Sequence, residues 1–337
     1  MENSQIVTLN IGDVIPNAGD NESSWIISAW EGADKYIKSV PFKVEDPYQA
    51  KLVEYNVSLD ASDLIKTLKN AQEVSGGFAN YLQACKSEDG AAQGKLIVTL
   101  ETENGGLEAY SLYHSVTVFF QQLVLAMNVA LPGSCQILNA SYEGKGAASF
   151  EPPQIDSNIF TNGWLSAFDA EWPILKPLKF SDVWSWLDGQ QTSETDTALS
   201  MVNKVMFCLL ELAHQSTAYS ASNVLLVSHM LELFGKMEND VNHNLLRERI
   251  SIILGQPSDK ADSFNELYRM KQSLIRSEQP VRRPALVYHD ADDEILQQLE
   301  MHNSPVEQAL AIVLALLQDL VVNKCNSYQF SEQVTRN

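Results

Sequence analysis

Lys271 and Arg276 are the residues whose types and spacing point most directly to chemistry. They stand five positions apart in the segment Glu266-Leu-Tyr-Arg-Met-Lys-Gln-Ser-Leu-Ile-Arg-Ser-Glu-Gln-Pro280. Both cations suit a phosphate or a carboxylate, and the planar guanidinium can grip either one in a bidentate way. Arg276 cannot serve as a base, because a guanidinium keeps its proton above about pH 12. Arg269, Arg282 and Arg283 flank the pair and complete a candidate binding set with Lys271 and Arg276. Six of the seven arginines fall between Arg247 and Arg283. The competing expectation is that they pair with Glu248, Glu266 and Glu278 along helix surfaces, where ion pairs are common and weak.

Proton transfer would need a histidine, and the chain has six: His114, His214, His229, His243, His289 and His302. His214 and His229 lie on apolar stretches and are expected to be packed in the core. His289 sits in Tyr-His-Asp-Ala-Asp-Asp-Glu, where neighbouring acids would raise its pKa. The run Asp290–Glu294 suits a solvated helix start, with a carboxylate metal site as the weaker alternative. Cys85, Cys135, Cys208 and Cys325 are too far apart for a CxxC pair, so free thiols are expected rather than zinc ligands or disulfides. Neither a P-loop, a GxGxxG fingerprint nor a GxSxG elbow occurs, so no cofactor and no nucleotide are expected.

The elements that would position these residues divide the chain in two. Ile6–Ile11 and Trp25–Trp30 read as short β-prone runs, and Lys51–Leu59 and Lys95–Glu101 as strands. Asp60 or Ser62 opens a helix expected to reach about Ala84. Asn104-Gly105-Gly106 marks a turn. Ser115–Ala130 is an apolar helix stopped by Pro132-Gly133, and Cys135–Phe150 an interrupted strand. Residues 151–192 carry four prolines and four tryptophans, and are expected to connect two domains with rings filling the seam. An aromatic recognition surface is the alternative. From Ser193 the apolar spacing turns helical over Asp196–His214, Asn223–Met237 and Leu245–Leu254, which ends at Gly255. Capping boxes at Ser263-Phe-Asn-Glu266 and Ser304-Pro-Val-Glu307 open two more helices, the last running to about Asn323.

The fold expected is therefore α+β. A mixed domain spans 1–150, a Trp/Pro-rich connection 151–192, an antiparallel helical bundle 193–325 and a tail 326–337. The net charge of −20 over 337 residues disfavours non-specific binding to nucleic acid or an anionic membrane. The charge is uneven: residues 1–246 carry −17 and residues 247–337 only −3. The first residues, Met-Glu-Asn-Ser-Gln, lack the basic region of a signal peptide, and Ala309–Val322 is broken by Gln318 and Asp319. A cytoplasmic protein is expected, with no membrane partner.

The order of features in residues 115–322 resembles the Apea-like branch of the HEPN superfamily, all-α domains of bacterial stress and defence proteins. The resemblance rests on Val118-Phe-Phe-Gln-Gln-Leu-Val-Leu-Ala-Met-Asn-Val-Ala-Leu-Pro-Gly133, on Leu245-Leu-Arg-Glu-Arg-Ile-Ser-Ile-Ile-Leu-Gly255 and on Phe264-Asn-Glu-Leu-Tyr268. Family members then carry Arg-Ser and, four residues after the Arg, a His usually followed by Gly. Here those positions hold Lys271, Gln272, Arg276 and Ser277. Many members are metal-independent ribonucleases that use this Arg and His, so the motif is degenerate and catalysis is not expected.

The resemblance thus implies a catalytically silent binding or regulatory protein of a bacterial defence or stress system. It implies a homodimer or a HEPN partner, with RNA phosphate as a further candidate contact. Two alternatives remain open: a metal-independent ribonuclease with a relocated base, and an acidic inhibitor that mimics nucleic acid through residues 1–246.

Overall fold

A computed structural model describes residues 5–10, 20–48, 50–75, 95–102, 109–135, 139–142, 155, 158–214, 221–236, 243–258, 261, 263–278 and 293–331. The architecture is α+β. The chain divides into two compact units, residues 1–161 with 176–198, and residues 162–175 with 199–337.

The first unit holds strands β1 (Gln5–Asn10), β2 (Val40–Asp46), β3 (Lys51–Asp60), β4 (Lys95–Glu101) and β5 (Asn139–Tyr142). They form one antiparallel sheet in the order β2-β3-β4-β1-β5. Alternation in β2 and β3 sends Phe42, Val44, Val53, Tyr55, Val57 and Leu59 inward, while Lys43 and Glu54 face out. Helices α1 (Asp20–Tyr36), α2 (Ser62–Ser75), α3 (Ala109–Ala130) and α5 (Phe180–Gly189) belong to the same unit. The helix α4 (Asn158–Asp169) crosses the boundary between the two units in sequence.

Trp25–Trp30 is helical, not a strand. Ile26, Trp30, Ala33 and Ile37 are all buried, which is a 3.6-residue stripe longer than the six residues that read as β-prone. The strand β2 lies where no strand was expected. Helix α2 is described to Ser75 only, and the rest of the helix expected to Ala84 falls outside the described residues, as do the Asn104 turn and residues 143–150. At the end of α3 the Asn128 side chain donates to the Val124 and Cys135 carbonyls and accepts the Gly133 amide at 2.7 Å. Gly133 has φ +80°, a conformation glycine adopts without a Cβ penalty.

The second unit holds α6 (Met201–His214), α7 (Ala221–Gly235), α8 (His243–Leu254), α9 (Ser263–Ile275) and α10 (Asp293–Asn323). Helix α7 packs against α6, α8, α9 and α10, so it is the hub of this unit. The last helix does not open at Ser304. It begins at Asp293 and runs through Pro305, which forfeits one backbone hydrogen bond. Within α10, Met301–Asn323 is long and apolar enough to cross a membrane, but 78% of its most apolar window is buried inside protein.

Residues 151–192 are shared between the units and are more regular than their prolines suggest. Residues 162–175 belong with the helices: Gln308 donates to the Trp172 carbonyl at 2.8 Å, and the Trp172 indole donates to the Gly255 carbonyl at 3.2 Å. A Cβ added to Gly163 of α4 would meet the Leu310 side chain and the Ala311 backbone at 3.5 Å. Trp184 is buried among Phe42, Phe119 and Phe180 in the sheet unit, with ring centroids 5.5–6.2 Å away. Trp172, Trp184 and Trp186 are therefore core residues of one unit or the other and offer no exposed stacking surface. The tail also packs back. Tyr328 donates to the Leu316 carbonyl at 2.8 Å, and its ring lies 6.2 Å from Phe234.

Candidate functional site

Helix α9 carries two of the five residues singled out from sequence, Arg269 and Lys271, and its geometry separates them. Phe264, Tyr268 and Lys271 recur at spacings of four and three, so they share one face. Phe264 and Tyr268 are buried with ring centroids 5.1 Å apart. Lys271 follows them inward. Its ammonium donates to the Glu232 carboxylate of α7 at 2.5 Å, with only 18% and 15% of the two side chains exposed. The same ammonium stands 5.8 Å from the Tyr268 ring centroid. Lys271 is thus half of an interhelix ion pair.

Arg269 lies two positions away, on the far side of the helix, and is exposed. It forks onto Glu266 one turn back, with Nε donating at 2.8 Å. That pair holds the Glu266 carboxyl below its usual range, chiefly through the hydrogen bond from Arg269. Arg276 falls one residue beyond α9 and is exposed. Among the described cations of the set, Arg269, Lys271 and Arg276, it is the one whose side chain forms no ion pair with a described residue. Arg282 and Arg283 lie outside the described residues.

The end of α9 explains the position of Arg276. Ser277 has φ +59°, its amide donates to the Leu274 carbonyl at 3.1 Å, and the Glu278 amide donates to the Ser273 carbonyl at 2.9 Å. This is a Schellman cap, with Ser277 in the left-handed position where glycine is usual. Arg249 closes a second helix end. Its guanidinium donates to the Gly235 and Lys236 carbonyls at the C-terminus of α7 and stacks 4.8 Å over the Phe330 ring. A cation at a helix C-terminus complements the dipole.

The structure joins Tyr268 and Gln272, which the sequence reading placed on the same helix, to two side chains that it did not connect to this site, Glu232 and His243. His243 opens α8 and stacks on Tyr268 with centroids 4.0 Å apart. Its Nε2 is 3.2 Å from the Gln272 side-chain nitrogen, and its Nδ1 is buried without a hydrogen-bond partner among the described residues. Burial holds the imidazole below its ordinary pKa, Lys271 adds to that effect, and Glu232 opposes it. Burial also pushes the Tyr268 phenol far above its usual range, and the Glu232 charge reinforces the shift. The Tyr268 hydroxyl faces Glu232 electrostatically, but its geometry falls short of a hydrogen bond. The spacing of Tyr268, Lys271 and Gln272 was a usable signal. No signal in the sequence ties Glu232 or His243 to them.

The other histidines are elsewhere. His214 and His229 are exposed, not packed in the core, because each lies on the uncovered side of its helix, beside exposed Glu211 in α6 and exposed Leu225 in α7. His289 and the acid run to Asp292 lie outside the described residues. Cys135 is buried, which pushes its thiol well above the usual range. Cys208 is partly buried, and its thiol too is raised, by burial first. Cys325 is exposed, none of the three is in a disulfide among the described residues, and Cys85 lies outside them. Among the described residues no three of His, Cys, Asp and Glu are grouped to hold a metal ion.

No protein-family model, no curated protein sequence and no solved structure matches this chain.

Proposed function

We propose that this chain is a catalytically silent HEPN-like binding or regulatory protein that acts through protein contacts, as a subunit of a bacterial defence or stress-response system. One observation carries the reading. Lys271, at the position of the family's phosphate-binding Arg, is tied to Glu232 inside the helical unit. A lysine spent on an internal clamp is not available to a phosphate. Arg276, at the position of the family's His, cannot shuttle a proton. General acid–base work typically contributes 10²–10⁴-fold, so losing it leaves little turnover. The left-handed Ser277 lends further support, since the family usually places Gly there. The exposed Arg276 is the residue left to meet a partner, either a second copy of this chain or a HEPN protein that retains its motif.

The test pairs two measurements on pure full-length protein. No cleavage of a broad RNA panel in EDTA is the expected result. A co-precipitation from the native host should lose its partner band when Arg276 is changed to Glu. An unchanged partner list would remove Arg276 from the interface.

A second reading is favoured by His243. It is a metal-independent ribonuclease whose base has moved to α8. The imidazole lies near Lys271, and its Nε2, now against Gln272, is the nitrogen that would take a proton from a 2′-hydroxyl. It predicts cleavage in EDTA that disappears in His243→Ala and persists in Arg276→Ala.

A further inference from the structure

The sheet unit holds a cleft of about 620 Å³ between α1 and the segment that leads into α5. That volume lies in the range of small-ligand sites, about 300–1,000 Å³. On α1, Trp25, Ser28, Gly32 and Lys35 recur at spacings of three, four and three, so one helix face forms a wall. The small residues of that face leave the hollow: a Cβ added to Gly32 would already lie 3.6 Å from the Phe180 Cβ. Leu131, Pro177 and Phe180 continue the apolar lining. The Leu178 amide donates to the Ala130 carbonyl at 2.9 Å, which ties the second wall to the end of α3.

The charge of the cleft runs against that of the chain. Residues 1–246 carry −17, yet the lining holds Lys35 and Lys179 and neither Asp nor Glu. Both lysines are exposed, and neither pairs with a carboxylate among the described residues. Lys35 stands in the last turn of α1, where a cation suits the dipole. Lys179 stands at the N-cap of α5 and makes no side-chain capping bond, so a positive charge meets the positive end of a helix. N-caps favour Ser, Thr, Asp and Asn, so a lysine serves the helix poorly there. Asp182 of the first turn does not line the cleft. An anion between the two lysines relieves both their repulsion and the misplaced charge. The Phe180 and Ser181 amides, at the start of α5 where no intrahelical acceptor exists, are further donors for it.

We propose that this cleft binds a small acid with one anionic head and an apolar body. The head lies between Lys35, Lys179 and the start of α5, and the body lies against Trp25, Leu131 and Phe180. Lysine ammoniums are point charges on flexible stems and hold such a head without a fixed fork. The indole of Trp25, 38% exposed, gives the body an aromatic face. No residue of α9 lines the cleft, so the site is independent of the function proposed above.

The test titrates the full chain with anilinonaphthalene sulfonate, an aromatic body with one anionic head, and reads its fluorescence at physiological salt. Saturable binding is expected. The double variant Lys35→Gln/Lys179→Gln should weaken it about tenfold. Ser28→Trp, which fills the cleft from α1, should weaken it at least as much. The control Lys43→Gln/Lys51→Gln removes two exposed lysines of β2 and β3 and should weaken it less than about threefold. Decanoate should displace the probe at concentrations where acetate does not. Equal losses in the two lysine pairs would mean diffuse charge attraction and overturn the site, and wild-type affinity in Ser28→Trp would overturn its location. Equal displacement by acetate and decanoate would refute the apolar body. Equal affinity for phenylnaphthylamine, which lacks the sulfonate, would refute the anionic head. No saturable binding by the wild type below about 0.1 mM probe would overturn the whole. Near-ultraviolet circular dichroism of each variant, unchanged from wild type, keeps a loss of binding from being a loss of fold.

Discussion

Changing Glu232 to Gln should destabilise the helical unit through Lys271. At the 2.5 Å separation of the pair, an effective dielectric of about 20 gives a gross attraction of roughly 6–7 kcal/mol. Desolvation of two largely buried ions offsets most of that, and breaking such a pair strands the remaining charge. The 15–18% residual exposure lets water reach the stranded ion, which lowers the penalty. We expect about 2 kcal/mol lost for Glu232→Gln, about 2 kcal/mol for Lys271→Met, and a double variant well short of their sum. The coupling should be at least 1 kcal/mol. Urea melts of the full chain, followed by far-ultraviolet circular dichroism, give the four free energies. Hydrogen exchange of the α7 and α9 amides places the loss in this unit. Additivity within about 0.3 kcal/mol would refute the clamp and return Lys271 to the pool of available cations.

Four further outcomes are expected. Burial holds the His243 pKa below its ordinary value in the fold, so the unfolded chain binds the proton more readily; stability should be complete above the unfolded pKa of about 6.5 and fall as pH drops through it. Thermal melts across that range should show this slope, and His243→Phe, which keeps the stack on Tyr268, should flatten it. Replacing Ser277 by Gly relieves a left-handed residue and should raise stability by about 0.5–1 kcal/mol in urea melts. Gly255→Ala should cost about 1 kcal/mol, because φ is +83° there while open space surrounds the new methyl, so backbone strain alone is measured. Gly163→Leu should cost about 2 kcal/mol by overpacking against Leu310 and Ala311, whereas Gly163→Ala should be close to neutral.

Local pattern carried much of the fold. Strands β3 and β4 were legible because alternation is a one-dimensional signal. Three helices of the second unit were legible from their 3.6-residue stripes, α9 from its capping box, the C-terminal half of α10 from its apolar run, and the stop at Gly255 from the residue type. The same logic failed at Trp25–Trp30, where a short window shows β propensity and only the longer stripe through Ile37 shows a helix. It failed at Pro305 because a proline inside a helix costs a hydrogen bond that packing along α10 can outweigh.

The sequence by itself determined the charge map, the concentration of arginines between Arg247 and Arg283, the absence of a base at position 276, and the helix that carries Lys271. Those follow from residue types and from contacts within one turn. Only the tertiary structure decided which cations are spent. Glu232 lies 39 positions before Lys271, and Glu45 lies 151 positions before Asp196. Pairings across such separations are set by how helices and strands pack, so no local spacing encodes them. The same packing turned a candidate phosphate ligand into an interhelix clamp.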